Sequence, residues 1–251
     1  MKILNPFNTA RKSLPACFAI FLTCVLCSCG TIPPRPSPQP PPSAPRANRT
    51  HTVAPGETLW RISKIYNVPM ASIINVNRLK DTQPLEMGQI LNIPSASSPQ
   101  QVLSLFPSGR WKYIIVHHSA TQEGSSLQFH RHQQEKGWDS VGYHFVIDNG
   151  KSGKPDGFIE ITPRWLKQQH GAHCKASDMN TVGIGICLVG NFNEREVSPA
   201  QMNALVYLVN ELRRYYKIPK NNILGHRHVP GSKTDCPGNR FPWDKFKRQI
   251  Q

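Results

Sequence analysis

The sequence predicts an α/β protein with a mixed central sheet flanked by helices, preceded by a small strand–helix–helix–strand unit. Three observations carry this prediction. From Trp111 onward, apolar segments of strand-like composition alternate with segments whose apolar residues recur at helical spacing. A separate short segment, residues 51–94, has strand and helix patterns of its own. Two stretches rich in proline, serine and glutamine, residues 29–50 and 95–108, are predicted to be linkers.

The first 28 residues are predicted to be a targeting segment. An apolar stretch, residues 14–26, is too short to span a membrane as a mature helix, and a basic region precedes it, made of Lys2, Arg11 and Lys12. The segment ends Leu26-Cys27-Ser28-Cys29-Gly30, which resembles the bacterial lipoprotein signal and implies lipidation of Cys29. An ordinary cleaved leader and an uncleaved anchor are the alternatives. In each case we expect export to the bacterial cell envelope, and lipidation would add a membrane anchor.

The chain is strongly basic, with a net charge of +15. Most of the excess lies in residues 109–251, where basic residues are spread along the sequence rather than clustered. Nucleic acid is a common partner of basic chains, but the expected export argues against it. A polyanionic envelope is favoured instead, because the field of the protein would concentrate it there.

Residues 51–94 have the pattern of a complete small fold. A strand at residues 51–53 leads into a turn at Pro55-Gly56, and Thr58 can cap the first helix. Pro69 can begin a second helix, and Gly88–Pro94 closes the unit as a strand. The segment resembles a LysM module over its whole length, from HTVAPGETLWRISKIYNV to LEMGQILNIP. That resemblance implies binding of glycans that contain N-acetylglucosamine.

The same resemblance places the glycan groove between the loop before the first helix and the loop before the last strand. In this sequence the groove residues would be Gly56, Glu57, Thr58 and Leu59, with Leu85 and Met87. For Leu59 we favour plain core packing, since its apolar side chain continues the helix pattern.

The C-terminal part, residues 109–251, follows with alternating elements. Strands are predicted at residues 112–118, 141–148, 158–161, 182–189 and 222–225, and a polar helix at residues 125–136. Ser198-Pro199-Ala200-Gln201 predicts a capping box with proline at the first helical position, followed by an amphipathic helix. The last strand delivers His226 at its end, so we expect the chemistry at strand ends.

Two segments far apart in the sequence carry the residue types that bind zinc. His117 and His118 end the first strand of this part, and His226, His228 and Cys236 lie near the C-terminus. Consecutive strand residues point to opposite faces, so only one of His117 and His118 can face a metal. The spacing of His226 and His228 does not choose between them. Singly, such residues are more often buried polar groups or thiols, but together they favour a zinc site, which when catalytic takes three protein ligands and one water.

Three cysteines remain for the folded part: Cys174, Cys187 and Cys236. In an oxidising compartment an odd number leaves one thiol over. A Cys174–Cys187 bridge with Cys236 free for metal fits this count. Cys187 fits equally well as a small buried strand residue.

Residues 111–244 resemble the type 2 N-acetylmuramoyl-L-alanine amidases, a superfamily that includes phage amidase lysozymes and peptidoglycan recognition proteins. The blocks that carry the resemblance are YIIVHHSAT, WDSVGYHFVIDNG, HGAHCKASDMNTVGIGICLVGNF and GHRHVPGSKTDCPG. It implies one zinc ion bound by His117, His226 and Cys236. His118 and His228 would then orient these ligands or serve the structure, and His228 stands where the family usually carries Asp.

The reaction implied by this resemblance is hydrolysis of the amide between N-acetylmuramic acid and the L-alanine of the peptidoglycan stem peptide. Tyr143 would orient the attacking water or relay its proton, Thr234 would donate to the oxyanion, and His173 would contact the substrate. A non-catalytic peptidoglycan receptor or scaffold is the main alternative, although such relatives typically lose the zinc cysteine. A recycling amidase specific for anhydro-muropeptides is a third. The presence of Cys236 favours the enzyme.

Overall fold

The computed structural model describes residues 45–80 and 84–251. The expected targeting segment, the lipidation site Cys29 and most of the linker 29–50 lie outside the described residues. Across the part that is described, no helix has both the length and the apolar character needed to cross a bilayer.

The described chain forms two sheets and the helices that cover them. Its elements are β1 Ala47–Thr52, α1 Leu59–Tyr66, α2 Met70–Asn77, β2 Ile90–Ala96, β3 Tyr113–His118, α3 Ser126–Glu135, β4 Phe145–Asn149, β5 Asp156–Ile161, α4 Pro163–Leu166, α5 Met179–Val182, β6 Gly183–Leu188, α6 Pro199–Tyr216, β7 Ile223–Gly225 and α7 Trp243–Gln249. Single 3₁₀ turns lie at Ala176–Asp178, Lys220–Asn222 and His226–His228. We call residues 45–80 and 84–96 the N-terminal module, residues 97–110 the connecting segment, and residues 111–251 the C-terminal domain.

The N-terminal module has the predicted strand–helix–helix–strand order. β1 and β2 pair antiparallel, and α1 and α2 pack against them. Helix α1 begins where predicted, because the Thr58 hydroxyl accepts a hydrogen bond from the Arg61 amide at 3.2 Å. β1 begins at Ala47, inside the predicted linker 29–50, because its pairing with β2 continues there and the Asn48 side chain accepts from the Ser95 amide.

The C-terminal domain has the predicted mixed sheet, with strand order β5-β4-β6-β3-β7. β5 is an edge strand antiparallel to β4, and the other neighbours are parallel. Helix α6 covers one face and begins with Pro199 after a Ser198 cap, as predicted. The capping box is only half formed, however. The buried Gln201 side chain donates to the carbonyls of Val189 and Ile147 instead of returning to Ser198, so it ties α6 to β4 and to the residue after β6.

The two predicted histidines of β3 lie on opposite faces of the sheet. Ile114 and Val116 of β3 lie in the large core with α6, whereas Ile115 packs on the second face with Met179. Since side chains alternate along a strand, His117 shares the second face with Ile115, and His118 shares the α6 face. On β6 the residues of the second face are all small, namely Gly183, Gly185 and Cys187.

The connecting segment is packed rather than free. Gln101 donates to the Gly157 carbonyl at 2.9 Å and accepts from the Ile159 amide at 3.2 Å, so it satisfies exposed groups along the edge strand β5. The Trp165 indole donates to the Ser104 carbonyl at 2.7 Å, and apolar side chains of the segment pack against the core: Leu103, Leu105 and Phe106.

The three cysteines of the described chain are buried free thiols. The Cys174–Cys187 bridge that the cysteine count allowed is therefore wrong, and the alternative of a buried strand residue holds for Cys187, which lies within β6. Cys174 instead lies near the Ser232 hydroxyl, at 3.8 Å.

Candidate metal centre

Three side chains from distant parts of the sequence converge on the second face of the sheet. The ligand atoms of His117, His226 and Cys236 all lie within 4.8 Å of one another. Cys236 Sγ is 3.6 Å from His117 Nδ1, and the rings of His117 and His226 have centroids 4.7 Å apart. These are the three residues that the sequence resemblance assigns to zinc, and the structure brings them together.

Local structure explains how each ligand is placed. His117 is the fifth residue of β3, and His226 directly follows β7, the strand beside β3. The loop that carries Cys236 is held against His226 because the Arg227 amide donates to the Cys236 carbonyl at 2.8 Å. The Cys236 sulfur also accepts from the His118 amide at 3.4 Å, which fixes it beside the end of β3.

A chain of hydrogen bonds selects the free nitrogen of His117. His173 Nε2 lies 3.2 Å from the Gly183 carbonyl, which can only accept, so Nε2 of His173 carries the proton. The neutral His173 ring then accepts at Nδ1, which lies 3.1 Å from His117 Nε2. His117 Nε2 is therefore the donor, and Nδ1 of His117 keeps its lone pair on the side of Cys236. The arrangement is that of a metal-ligating histidine whose second nitrogen is held by a partner.

The space for the His173 ring is made by two glycines. A Cβ added at Gly185 or at Gly171 would lie 2.3 Å from His173 Cδ2, closer than any side chain can approach. His144 supports the same wall: its Nδ1 accepts from the Gly185 amide at 2.9 Å, and its Nε2 donates to the Gln169 carbonyl at 3.1 Å. His173 therefore fits a cradle built for an imidazole.

The protonation states suit metal binding. Burial lowers the pKa of His117 well below its ordinary value, with further lowering from His173 and His226, and burial also lowers the pKa of His226. Both rings are therefore neutral near pH 7 and have lone pairs to offer. Burial raises the pKa of the Cys236 thiol to about 12, although the His118 amide and Arg227 oppose this. A cation that binds here must displace the thiol proton, as metal ions do at cysteine ligands.

The donor set fits zinc. Two imidazole nitrogens and one thiolate sulfur make a three-ligand set that zinc accepts in tetrahedral sites, with a fourth position left for water. No carboxylate belongs to the cluster, which argues against the hard cations Ca²⁺ and Mg²⁺.

Tyr143 lies beside this cluster. Its ring centroid is 5.2 Å from that of His117 and 6.5 Å from that of His173, with which it stacks. Burial, together with the neighbouring Cys187 and Cys236 thiols, holds the pKa of Tyr143 well above its ordinary value. The side chain is thus a neutral phenol that can donate or relay a proton, which is compatible with the predicted catalytic role.

The remaining residues predicted for the site differ in the hydrogen bonds that they make. Thr234 accepts from the Cys236 amide at 3.1 Å, which leaves its own hydroxyl proton free to donate. His173, predicted to contact substrate, is buried and has both ring nitrogens engaged inside the protein. His118 lies on the α6 face, where Nδ1 accepts from the Phe192 amide at 3.1 Å. His228 Nδ1 accepts from the Gly225 amide at 3.3 Å, next to the ligand His226.

The predicted glycan groove corresponds to a cavity of about 360 Å³ in the N-terminal module. Its lining contains Gly56, Glu57, Thr58 and Leu59 together with Leu85 and Met87, whose contact with glycan stays a prediction. Leu59 is also packed at the border of the module's core, as favoured from the sequence.

Glu57 lines the cavity, but its carboxylate is directed inward. The side chain is only 4% exposed and accepts from His51 Nε2 at 2.8 Å and from the Ala54 amide at 2.7 Å. Burial alone would raise its pKa, yet the His51 hydrogen bond and the positive charge of Lys154 outweigh burial and lower the pKa of Glu57 to about 2. The partner of the carboxylate is thus protein rather than an open groove.

Sequence reasoning missed three contributors to the centre. It gave no role to Gly185 or His144, which shape the pocket of His173. It treated Cys187 only as a possible disulfide partner or buried strand residue, whereas the Cys187 thiol lies beside Tyr143. The only signal was the run of small residues in the β6 segment Gly183-Ile184-Gly185-Ile186-Cys187, which alternates with large apolar residues.

Fold and ligand geometry together define an α/β domain with a cluster of two histidines and one cysteine that could hold a metal ion, joined to a small accessory module. The chain belongs to the N-acetylmuramoyl-L-alanine amidase family, whose model matches residues 107–239. A LysM domain matches residues 51–94. The C-terminal domain and the N-terminal module are these two parts.

Individual relatives match about half of the chain or somewhat more. An endolysin of Enterobacteria phage K11 is 34% identical over 132 residues, which are 49% of this chain and 78% of the endolysin. Peptidoglycan-recognition protein SC1a of Drosophila melanogaster is 31% identical over 145 residues, 54% of this chain and 71% of that protein. Among solved structures, the N-acetylmuramoyl-L-alanine amidase LysC from Clostridium intestinale is 28% identical, with a TM-score of 0.49, and covers 61% of this chain and all of its own.

Proposed function

We propose that the protein is a zinc-dependent peptidoglycan hydrolase that cleaves the amide bond between N-acetylmuramic acid and the L-alanine of the stem peptide. The observation that carries this proposal is the convergence of His117, His226 and Cys236 within 4.8 Å, in a domain of the amidase family. A zinc ion held there would supply a Lewis acid that polarises the scissile carbonyl and acidifies water.

The surrounding residues have roles that follow from their contacts. His173 holds His117 in the tautomer that offers Nδ1. Tyr143, a neutral phenol beside His117, would orient the attacking water and pass on its proton. The Thr234 hydroxyl, whose oxygen already accepts from the Cys236 amide, would donate to the oxyanion that forms on the carbonyl.

The N-terminal module would bring the hydrolase to its polymer. We propose that its 360 Å³ groove binds N-acetylglucosamine-containing glycan, which raises the local concentration of stem peptides at the C-terminal domain. The expected location is the bacterial cell envelope, with a lipid anchor at Cys29 as a further part of this proposal.

A receptor without catalytic activity is the second candidate, since peptidoglycan-recognition proteins are among the relatives. The complete ligand set disfavours it, because a protein that only binds muropeptide has no use for an activated metal site. An amidase restricted to anhydro-muropeptides is disfavoured by the glycan groove.

The test uses purified sacculi and the full chain. We expect the wild type to release stem peptides, identified by mass, and a chelator to stop the release. Cys236→Ala and His226→Ala should lose release by at least about a thousandfold, since each removes a metal ligand, while both still sediment with sacculi. Cys174→Ala is the matched control, because Cys174 is also a buried thiol but lies outside the cluster. Unchanged release by Cys236→Ala would exclude the metal mechanism, and binding without any release by the wild type would favour the receptor.

A further inference from the structure

The core of the N-terminal module contains a residue from the C-terminal domain. Phe158, on edge strand β5, is 3% exposed and lies in the same apolar cluster as Ile62, Ile65 and Ile73 of the module. Val102 of the connecting segment packs against this cluster too. The module is near the lower size limit for an independent core, so a buried aromatic ring from outside is a large share of its apolar packing.

A buried lysine reinforces the same junction. Lys154 of the C-terminal domain is 7% exposed, and its ammonium lies 3.7 Å from the Glu57 carboxylate of the module and 3.4 Å from His51 Nε2. It also lies 4.0 Å from Glu160 and over the ring of Phe158. Glu57 and His51 already bond each other within the module, so Lys154 enters an existing pair from the other domain.

The acidic side of this junction is anchored in the C-terminal domain. Glu160, 2% exposed, accepts from the amide and hydroxyl of Ser126 at the start of α3, where the helix dipole favours a negative charge. Asp148, 1% exposed, lies near Glu160, and burial together with this neighbouring carboxylate raises the pKa of Asp148 well above its ordinary value, so Asp148 is a neutral acid. If the module separated from the domain, Glu57 would lose the positive charge of Lys154, and Lys154 would lose one of its two carboxylate neighbours.

Both loops that border the glycan groove also touch the C-terminal domain. A Cβ at Gly56 would lie 3.0 Å from Leu166 Cδ1 of α4, and a Cβ at Gly88 would lie 2.6 Å from the Arg131 guanidinium of α3. Arg61 of α1 is buried and donates to the Val102 carbonyl. The module therefore contacts the rest of the protein at several separate points near the groove, and not at a single hinge.

We propose that the N-terminal module and the C-terminal domain are one cooperative folding unit, closed by Phe158 and Lys154, so that the groove is held in a fixed position relative to the metal-ligand cluster. The module thus folds together with the hydrolase domain and is not an independently folding domain joined to it by a flexible linker. The consequence for cleavage is that glycan is bound, and a stem peptide cleaved, at one fixed distance from each other. This consequence rests on the proposed function, whereas the cooperativity itself does not.

Cooperativity is tested by weakening one domain and observing the other. Leu208→Ala removes a fully buried side chain of α6, which lies in the core of the C-terminal domain. Hydrogen–deuterium exchange of the full chain is then followed on peptides that cover β1 and β2. We expect exchange in these module strands to accelerate by about 30-fold or more, matching the acceleration in β3 and β6. Val209→Ala is a second, smaller deletion in case Leu208→Ala does not fold.

Variants of the junction complete the test. Phe158→Ala and Lys154→Met should uncouple the module, so that adding Leu208→Ala no longer affects exchange in β1 and β2. Lys151→Met is the matched control, because Lys151 is exposed in the same loop and should leave the coupling intact. The proposal would be overturned if Leu208→Ala, with Phe158 and Lys154 unchanged, left the exchange rate of β1 and β2 at its wild-type value. Since no zinc or substrate is used, a failure of amidase activity would leave this result unaffected.

Discussion

At the scale of single residues, His173 fixes the tautomer of His117, one of the three side chains of the candidate metal centre. Its ring joins His117 to the Gly183 carbonyl, and through two hydrogen bonds it leaves Nδ1 of His117 without a proton. The sequence resemblance assigned substrate contact to His173, and that role stays a prediction. The contacts seen in the structure are those of a residue that positions His117, a candidate metal ligand.

We therefore expect His173→Ala to weaken zinc binding by about 10–100-fold, as loss of a partner to a ligating histidine typically does. Competition with a chromophoric chelator measures this affinity directly and does not depend on catalysis. His173→Gln keeps one acceptor and one donor, so it should recover part of the affinity. His132→Ala, at an exposed histidine of α3, is the control. Equal zinc affinity in His173→Ala and the wild type would show that the hydrogen-bond chain does not hold His117.

At the scale of elements, β6 serves two functions with its two faces. Ile184, Ile186 and Leu188 fill the core under α6, while the small residues of the second face leave room for His173 and Tyr143. A strand of large apolar residues on both faces would pack well but would close the centre.

Gly185→Ala tests this division. The new Cβ would lie 2.3 Å from His173 Cδ2, so the imidazole must move. We expect a loss of about 1–3 kcal/mol in the free energy of unfolding from overpacking, together with weaker zinc binding. Denaturant unfolding and chelator competition measure the two effects. Gly109→Ala, which meets no atom within 4 Å, should change neither. Normal zinc affinity in Gly185→Ala would mean that His173 tolerates displacement.

Local patterns were sufficient for most elements but not for the junction. The starts of α1 and α6 follow from Thr58 and Ser198, and strand alternation separates His117 from His118, all of which are short-range effects. The choice of His226 over His228 needed the family resemblance, because spacing alone left both open. The packing of residues 95–108 could not be predicted, since Gln101 covers an edge strand more than fifty residues later in the chain. The contact of Glu57 with Lys154 could not be predicted for the same reason, because Lys154 comes from another domain; the role of Glu57 in the groove stays a prediction.

At the scale of the whole molecule, buried charges join the N-terminal module to the C-terminal domain beside the apolar cluster that the two parts share through Phe158. Glu57 is paired with His51 of its own module and with Lys154 of the C-terminal domain. Lys154 in turn lies near Glu160 of the same domain. Such a network stabilises only while each charge keeps its partner, because an unpaired buried charge is costly. Stability of the described unit should therefore depend on the ionisation of Glu57.

Acid provides the test of this dependence. The pKa of Glu57 is lowered from 4.5 to about 2 in the folded protein, so its ionised form stabilises the fold above pH 4.5, and this contribution is lost as the pH falls from 4.5 towards 2. The contribution at neutral pH is on the order of 3 kcal/mol. In Glu57→Gln the free energy of unfolding should be lower at pH 7 and should fall less steeply below pH 5 than in the wild type. Urea unfolding between pH 3 and 7, read by tryptophan fluorescence, measures both slopes. Glu86→Gln, at an exposed carboxylate of the same module, should follow the wild type. Parallel curves for Glu57→Gln and the wild type would mean that the carboxylate does not stabilise the junction in its ionised form.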